Sequence, residues 1–323
     1  MFPLYLGIDL GGSGTRAALA GADGHIVATG TGPSGLHGRG SAGRRHLKRA
    51  LDAALAAIAP TVGDQPCRVF AGTRGLSIPG RRENLQLELT SRFRGGDVQV
   101  SNDALIALWG GLAGRQGVAV LAGSGSIALA RTAGGHEGRA GGWGYLLGDE
   151  GSGYWLGREA LAAYLRALEG REPVGALTRL VGEVVGRASL TDAIGWLYVG
   201  DQQVERLARL APLVTQAAHA SDPSAQTIAI RAGQALADAA AAAARQVWPT
   251  ALPDPLVVAC CGGVWSAGPV IQAPFAAALA ARLPGARCAA PHLPPIGGAL
   301  LLAMGAAERP LASSVLANVR DGL

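Results

Sequence analysis

The residues Asp9-Leu10-Gly11-Gly12-Ser13-Gly14-Thr15 join a carboxylate to a run of glycines and hydroxyls. Glycine admits positive φ and close backbone approach, so successive N–H groups can converge on phosphate oxygens. Ser13 and Thr15 add hydroxyl donors, and Asp9 could hold a hydrated Mg²⁺ through its waters. An ordinary glycine-rich hairpin turn would use the same residues. Gly123-Ser124-Gly125-Ser126 is a second turn of this type. Two such turns could clamp a polyphosphate from both sides, with a metal neutralising the charge between them. Gly262-Gly263 follows a buried-type strand and reads either as a plain strand-to-helix turn or as bare backbone suited to an adenine.

Phosphoryl transfer to a hydroxyl needs a group to take its proton, and Asp103, just past a strand and at a helix start, is stiffly placed for that. Asn102 or Asp103 would equally serve as the helix cap. The richest stretch is Gly141 to Trp155, which contains Gly142, Trp143, Tyr145, Asp149, Glu150, Tyr154 and Trp155. Aromatic faces beside an acid pair suit a sugar, whose apolar faces stack while its hydroxyls donate to carboxylates. A packed structural loop is the alternative.

Several chemistries are excluded. Lys48 is the only lysine among 28 basic residues, and no glycine-rich loop precedes it. A Walker A loop and a pyridoxal Schiff base each need a placed lysine, so neither is expected. Any nucleotide here is held by backbone amides, hydroxyls and metal. Cys67, Cys260, Cys261 and Cys288 show neither zinc-ligand spacing nor a disulfide framework and read as small buried hydrophobes. A net charge of +5 does not imply a nucleic-acid partner. The basic run Arg39, Arg44, Arg45, Lys48 and Arg49 lacks interleaved aromatics and reads as a solvated helix face that helps attract an anionic nucleotide. No apolar run of membrane-spanning length and no secretory leader is evident, so a cytoplasmic protein without a membrane partner is expected.

The elements needed to position these residues are legible in outline. At 323 residues, 49% of them hydrophobic, the chain has material for about two cored domains. Leu4–Asp9 and Thr15–Leu19 read as a tight hairpin around the first turn, and Gly117–Ala122 with Ile127–Arg131 repeats that syntax around the second. Such duplication is expected when two related halves face one another across a cleft. Between the hairpins lie a helix from about Leu47 to Ile58, strands at Val69–Ala71 and Val98–Val100, and a helix beginning at residues 102–103. Residues 159–247 are mostly helical, Leu256–Ala259 is a strand, and Pro294-Pro295-Ile296-Gly297-Gly298 opens a last helix to about Ala306. The boundary falls at residues 104–116, giving domains 1–114 and 115–323, with the last helix free to cross back to the first.

The ordered motifs DLGGSGT, SNDA, VLAGSGSIAL, GGWGYLLGDEGSGYW, CGGVWSAGP and PPIGGALL resemble the N-acetylglucosamine kinase branch of the BadF/BadG/BcrA/BcrD-type ATPase family, within the actin-like sugar-kinase superfamily. GGWG followed by GDEGS is the most specific of them. The resemblance implies an α/β fold of two ribonuclease-H-like domains, with nucleotide and sugar meeting in the cleft between them. It implies ATP and Mg²⁺ as cofactors. Gly11, Gly12, Ser13, Gly14 and Thr15 would hold phosphate together with Gly123, Ser124, Gly125 and Ser126, and Asp9 would act through the metal. Gly262 and Gly263 would bind adenosine. Asn102, Asp103, Gly142, Trp143 and Asp149 would contact the amino sugar, with Asp103 as base on its 6-hydroxyl. Gly297-Gly298 would lie in the connecting helix where the domains hinge. Many members of the family are dimers, which leaves a homodimer open.

Two positions depart from the family pattern. Pro33-Ser34-Gly35-Leu36-His37 lacks the usual sugar-contacting asparagine, and Ser124 replaces a threonine. The first leaves the hexosamine open between N-acetylglucosamine, glucosamine and N-acetylmuramic acid. An N-acetyl group wants a partly apolar pocket and a free amine wants a carboxylate, and Glu150 could serve either. Dehydratase activators share the fold but hold an iron–sulfur cluster on cysteines, which the dispersed cysteines here do not match. The zinc motif of another sugar-kinase branch is absent. A sugar sensor without catalysis is the alternative from another class, and the intact Asp9, Asp103 and both turns argue against it.

Overall fold

The computed structural model of the protein describes residues 3–12, 14–36, 40–63, 65–76, 78–186, 189–199 and 203–323. Backbone proximity divides the chain into two units, Met1–Gln116 with Thr132–Gly135 and Ala290–Leu323, and Gly117–Arg131 with His136–Ala289. Ala290–Leu323, at the end of the expected second domain, thus groups with the first unit.

The first unit is built on β1 (Leu4–Leu10), β2 (Thr15–Gly21), β3 (Ile26–Gly32), β4 (Cys67–Thr73) and β5 (Asp97–Asn102). Their order is β3-β2-β1-β4-β5, with β1 to β3 an antiparallel meander and β1, β4 and β5 parallel. Side chains alternate between faces with period two, and both faces are buried. Leu6, Ile8 and Leu10 pack with Leu51, Ile58, Leu85 and Leu89 on one side. Tyr5, Ala18 and Phe70 pack with Ile106, Trp109 and Leu300 on the other. The second unit repeats the plan with β6 (Gly117–Ala122), β7 (Ser126–Arg131), β8 (Glu137–Gly141), β9 (Val257–Cys261) and β10 (Arg287–Ala289), in the order β10-β9-β6-β7-β8. The long alanine-rich helix Pro223–Val247 lies against this sheet and buries its small residues there, Ala240, Ala241 and Ala244 among them. The duplicated hairpins of the sequence are therefore the first two strands of two sheets with one connectivity, as in the actin-like ATPase fold.

The sequence reading stops short in places. Cys260 and Cys261 lie inside β9 rather than beyond it. The edge strands β3, β8 and β10, the helix Arg81–Arg92 and the terminal helix Ser313–Gly322 are additional. No described helix is long and apolar enough to cross a membrane.

Two helices close the second face of the first sheet. Asp103–Leu112 and Pro295–Ala303 cross so tightly that a Cβ built on Gly298 would lie 1.9 Å from the Ile106 carbonyl oxygen and 2.5 Å from the Gly110 nitrogen. One on Gly7 of β1 would lie 2.7 Å from the Leu300 nitrogen. Backbone cannot yield as a flexible side chain can. Gly298→Ala is therefore expected to cost about 2–3 kcal/mol of stability in urea denaturation. Gly195→Ala, in the helix Leu190–Tyr198 with nothing within 4 Å of the added methyl, is expected to gain up to about 1 kcal/mol.

Candidate active site

In the first unit the parallel strands β1, β4 and β5 deliver their C-terminal ends to one sheet edge. Asp9 pairs in register with Gly72, and Thr73 with Asn102, so Asp103 emerges beside the turn that follows Asp9. Asn102 is the helix cap, its Oδ1 accepting from the Leu105 N–H at 2.7 Å, and Asp103 is the first helical residue. The capping oxygen of Asn102, expected on the sugar, is thus committed to the helix. Asp9 and Asp103 interact. Burial, and after it the negative charge of Asp103, push the Asp9 carboxyl from its usual 3.8 up to about 6, with Arg16 across the hairpin pulling the other way.

The first glycine turn is tied down from two sides. The Gly11 N–H donates to the Gly14 carbonyl at 2.9 Å, and Ser34 Oγ donates to the Gly11 carbonyl at 3.1 Å. Thr15 is buried and its hydroxyl donates to the Pro33 carbonyl at 2.9 Å. Its hydrogen is thus directed to the 33–36 loop. Ser13 lies outside the described residues. Arg74, which the sequence reading missed, lies over the turn, since a Cβ on Gly12 would stand 2.7 Å from its Cζ. Its planar guanidinium is a cation beside the glycines of this turn.

The second unit assembles the other expected residues. Gly123 N–H donates to the Gly125 carbonyl at 2.9 Å, and Gly153 N–H to the Gly123 carbonyl at 2.7 Å. The segment 149–155 straps this turn. Asp149 Oδ1 accepts from the Ser126 N–H at 3.2 Å, and Ser126 Oγ donates to the Glu150 carbonyl at 2.8 Å. The N–H and the hydroxyl of Ser126 are therefore both turned to the strap. Asp149, expected on the sugar, has its carboxylate against Gly125-Ser126 and adopts φ of +62°. Ser124 is half-buried in the same turn. Gly262, with φ of +103°, abuts the end of β6, where its Cβ would lie 2.4 Å from the Ala122 carbonyl oxygen; Gly263 faces open space.

The Gly141–Trp155 stretch divides into a buried half and an exposed half. Ser152, Gly153, Tyr154 and Trp155 are buried and begin the helix Gly153–Leu168, whose first turn Ser152 caps through the Trp155 N–H. Trp143, Tyr145, Leu146 and Leu147 are exposed, Trp143 by 67%. Arg139, also missed, holds this exposed half: its Nη2 donates to the Gly142 carbonyl at 2.7 Å, and its guanidinium lies 4.8 Å over the Trp143 ring. The Gly142 N–H donates to the Ser126 carbonyl at 3.0 Å, so the tryptophan loop and the second turn share a hinge of hydrogen bonds. No periodicity or spacing marks Arg74 or Arg139 among the chain's many arginines.

The comparisons with known proteins meet this geometry. The model of the BadF/BadG/BcrA/BcrD ATPase family matches residues 6–303. The chain belongs to that family. An N-acetylmuramic acid/N-acetylglucosamine kinase of Clostridium acetobutylicum is 31% identical over 66% of this chain and 70% of its own length. An N-acetyl-D-glucosamine kinase of Dictyostelium discoideum is 31% identical over 73% and 77%. A solved structure of a proposed N-acetylglucosamine kinase of Chromobacterium violaceum is 32% identical, covers 94% of this chain and 99% of its own, and superposes with a TM-score of 0.74. A glucokinase of Streptomyces griseus, solved with glucose and AMPPNP, shares the fold at 21% identity and a TM-score of 0.57 over 94% and 98% of the two chains.

An ATPase of this family calls for a divalent cation, and the Asp9–Asp103 pair fits one. Hard carboxylate oxygens, one of them pushed towards protonation by burial and then by the other, would gain from a cation placed between them. No cluster of three or more acidic, histidine or cysteine ligands exists among the described residues. The pair also sets a pH dependence. The folded protein keeps the Asp9 proton up to about pH 6 and the unfolded chain loses it near 3.8, so the stability this carboxyl carries is full below pH 3.8 and is lost as the pH rises through about 6. Asp9→Asn is expected to be more stable than the wild type at pH 7, by on the order of 2 kcal/mol, with the difference vanishing towards pH 4 in urea titrations.

Proposed function

We propose that the chain is an ATP-dependent amino-sugar kinase that transfers the terminal phosphoryl group of ATP to the 6-hydroxyl of N-acetylglucosamine or a close hexosamine. The observation that carries the reading is the acid pair Asp9 and Asp103 beside a glycine turn overlaid by the Arg74 guanidinium. Such a site offers a proton acceptor, a metal-holding carboxylate and a phosphate cradle within one sheet edge. The two relatives named as amino-sugar kinases support the substrate class.

The roles follow from the chemistry. Gly11, Gly12 and Gly14 present backbone to the phosphates and Arg74 adds charge, while Gly123, Ser124 and Gly125 form a second turn of the same kind in the other unit. Bare backbone at Gly263 offers adenine a face. Mg²⁺, when bound near Asp9, supplies charge neutralisation for the polyphosphate. Trp143, braced by Arg139, offers a ring face to the sugar, and Asp149 is released from Ser126 to accept from its hydroxyls. Asp103 accepts the proton of the 6-hydroxyl; it need only be ionised and within hydrogen-bond reach, because positioning and charge neutralisation supply most of the rate.

Asp103→Asn keeps the size of the side chain and removes the base. It is expected to lower kcat for N-acetylglucosamine by about 10³-fold in an ADP-release assay while leaving the sugar Kd within about threefold. Phosphorus NMR of the product is expected to show a 6-phosphate. Near-normal turnover by the variant, or a phosphate on another hydroxyl, contradicts the assignment.

A further inference from the structure

The four cysteines, expected to be small buried hydrophobes, divide into two kinds. Cys67 and Cys261 are buried, and burial pushes each thiol up to about 12, which leaves both unreactive. Cys260 is half-buried and Cys288 is exposed. Both belong to the second unit, Cys260 in β9 and Cys288 in the short edge strand β10. The two strands run parallel with Cys288 opposite Val258, so Cys288 shares a sheet face with Val258 and with Cys260 two residues further on. The two thiols hydrogen-bond to one another. Donation by the Cys260 S–H holds the Cys288 thiol below its usual range, while that donation and burial push Cys260 up. An exposed, acidified thiol beside a second thiol is the arrangement that oxidants address. Phosphoryl transfer uses neither sulfur.

We infer that Cys260 and Cys288 form a dithiol that a peroxide converts to a disulfide, and that the new bond disturbs the turn at Gly262. The Cys288 thiolate attacks one peroxide oxygen, giving a sulfenic acid and releasing hydroxide. The Cys260 sulfur then attacks the sulfenic sulfur, and its proton leaves with the displaced hydroxyl as water. Two thiols give up two electrons and two hydrogens, and hydrogen peroxide becomes two waters. Diagonal neighbours on parallel strands lie about 8 Å apart at Cα and a disulfide spans at most about 6.8 Å, so closing the bond draws the strand ends together by roughly 1 Å. β10 has three residues and lies at the edge of its sheet, so it is the strand that can yield. Gly262, two residues beyond Cys260, has no slack: its φ is +103° and a Cβ there would lie 2.4 Å from the Ala122 carbonyl oxygen. The shift therefore reaches the turn that offers backbone to adenine. That consequence rests on the kinase reading, whereas the covalent step does not.

The test treats the wild type, Cys288→Ser, Cys260→Ser and Cys261→Ala with hydrogen peroxide and maps the products by mass spectrometry without reductant. Cys288 is exposed, so its serine variant should fold. The wild type and Cys261→Ala should lose two hydrogens and show a Cys260–Cys288 link within one chain that dithiothreitol removes. Cys288→Ser should show no link, and Cys260→Ser should stop at a sulfenic acid on Cys288 that dimedone traps. Calorimetry with AMPPNP should show the nucleotide Kd raised at least about threefold by oxidation of the wild type, and held within about twofold in treated Cys288→Ser. A link between two chains, a sulfinic acid on Cys288 without a link, or a link that survives Cys288→Ser overturns the inference. So does a linked protein whose nucleotide affinity is unchanged. If neither form binds nucleotide nor phosphorylates an amino sugar, the kinase reading fails, and the peptide map alone decides the dithiol.

Discussion

Two carboxylates close enough for one to raise the proton affinity of the other are a repulsion that the fold has to sustain. Asp9 and Asp103 stand at the ends of β1 and β5, with β4 between them and all three strands parallel. Their proximity follows from register, and register follows from the buried alternation of Leu6, Ile8 and Leu10 on one face against Tyr5 on the other. A slip of one residue would turn Asp9 to the opposite face. The helix that begins at Asp103 is held by its Asn102 cap and by the close approach of Gly298, so the second acid is as fixed as the first.

The two sheets have one connectivity but secure their turns with opposite charge. The first turn carries a guanidinium, Arg74, over Gly12; the second carries a carboxylate, Asp149, on Ser126. Asp149 holds a left-handed backbone with φ of +62°.

Much of this was legible before the structure. The hairpins at Leu4–Leu19 and Gly117–Arg131 announce themselves as apolar runs bounded by glycine, and the Asn-Asp pair after Val100 announces a helix start. The edge strand β3 was lost because Ile26–Gly32 mixes threonine and glycine with its apolar residues and is nowhere fully buried. The helix Arg81–Arg92 was lost because only Leu85 and Leu89 mark its inner face. Thr15, Ser126 and Asp149 were recognised as polar residues in the right loops, yet their partners, Pro33, Glu150 and Ser126, come from loops brought together by the fold. Arg74 and Arg139 left no trace in the pattern because a single arginine acquires meaning only from the glycine it covers.

The central claim is the coupling of Asp9 to Asp103, and the titration of the Asp9 carboxyl by carbon-13 NMR reads it directly. The account predicts a midpoint near 6 in the free protein, a lower midpoint in Asp103→Asn where burial alone remains, and an ionised Asp9 throughout that range once Mg²⁺ and ATP are added. A midpoint near 4 in the free wild type, or one that ignores the loss of Asp103, would contradict it.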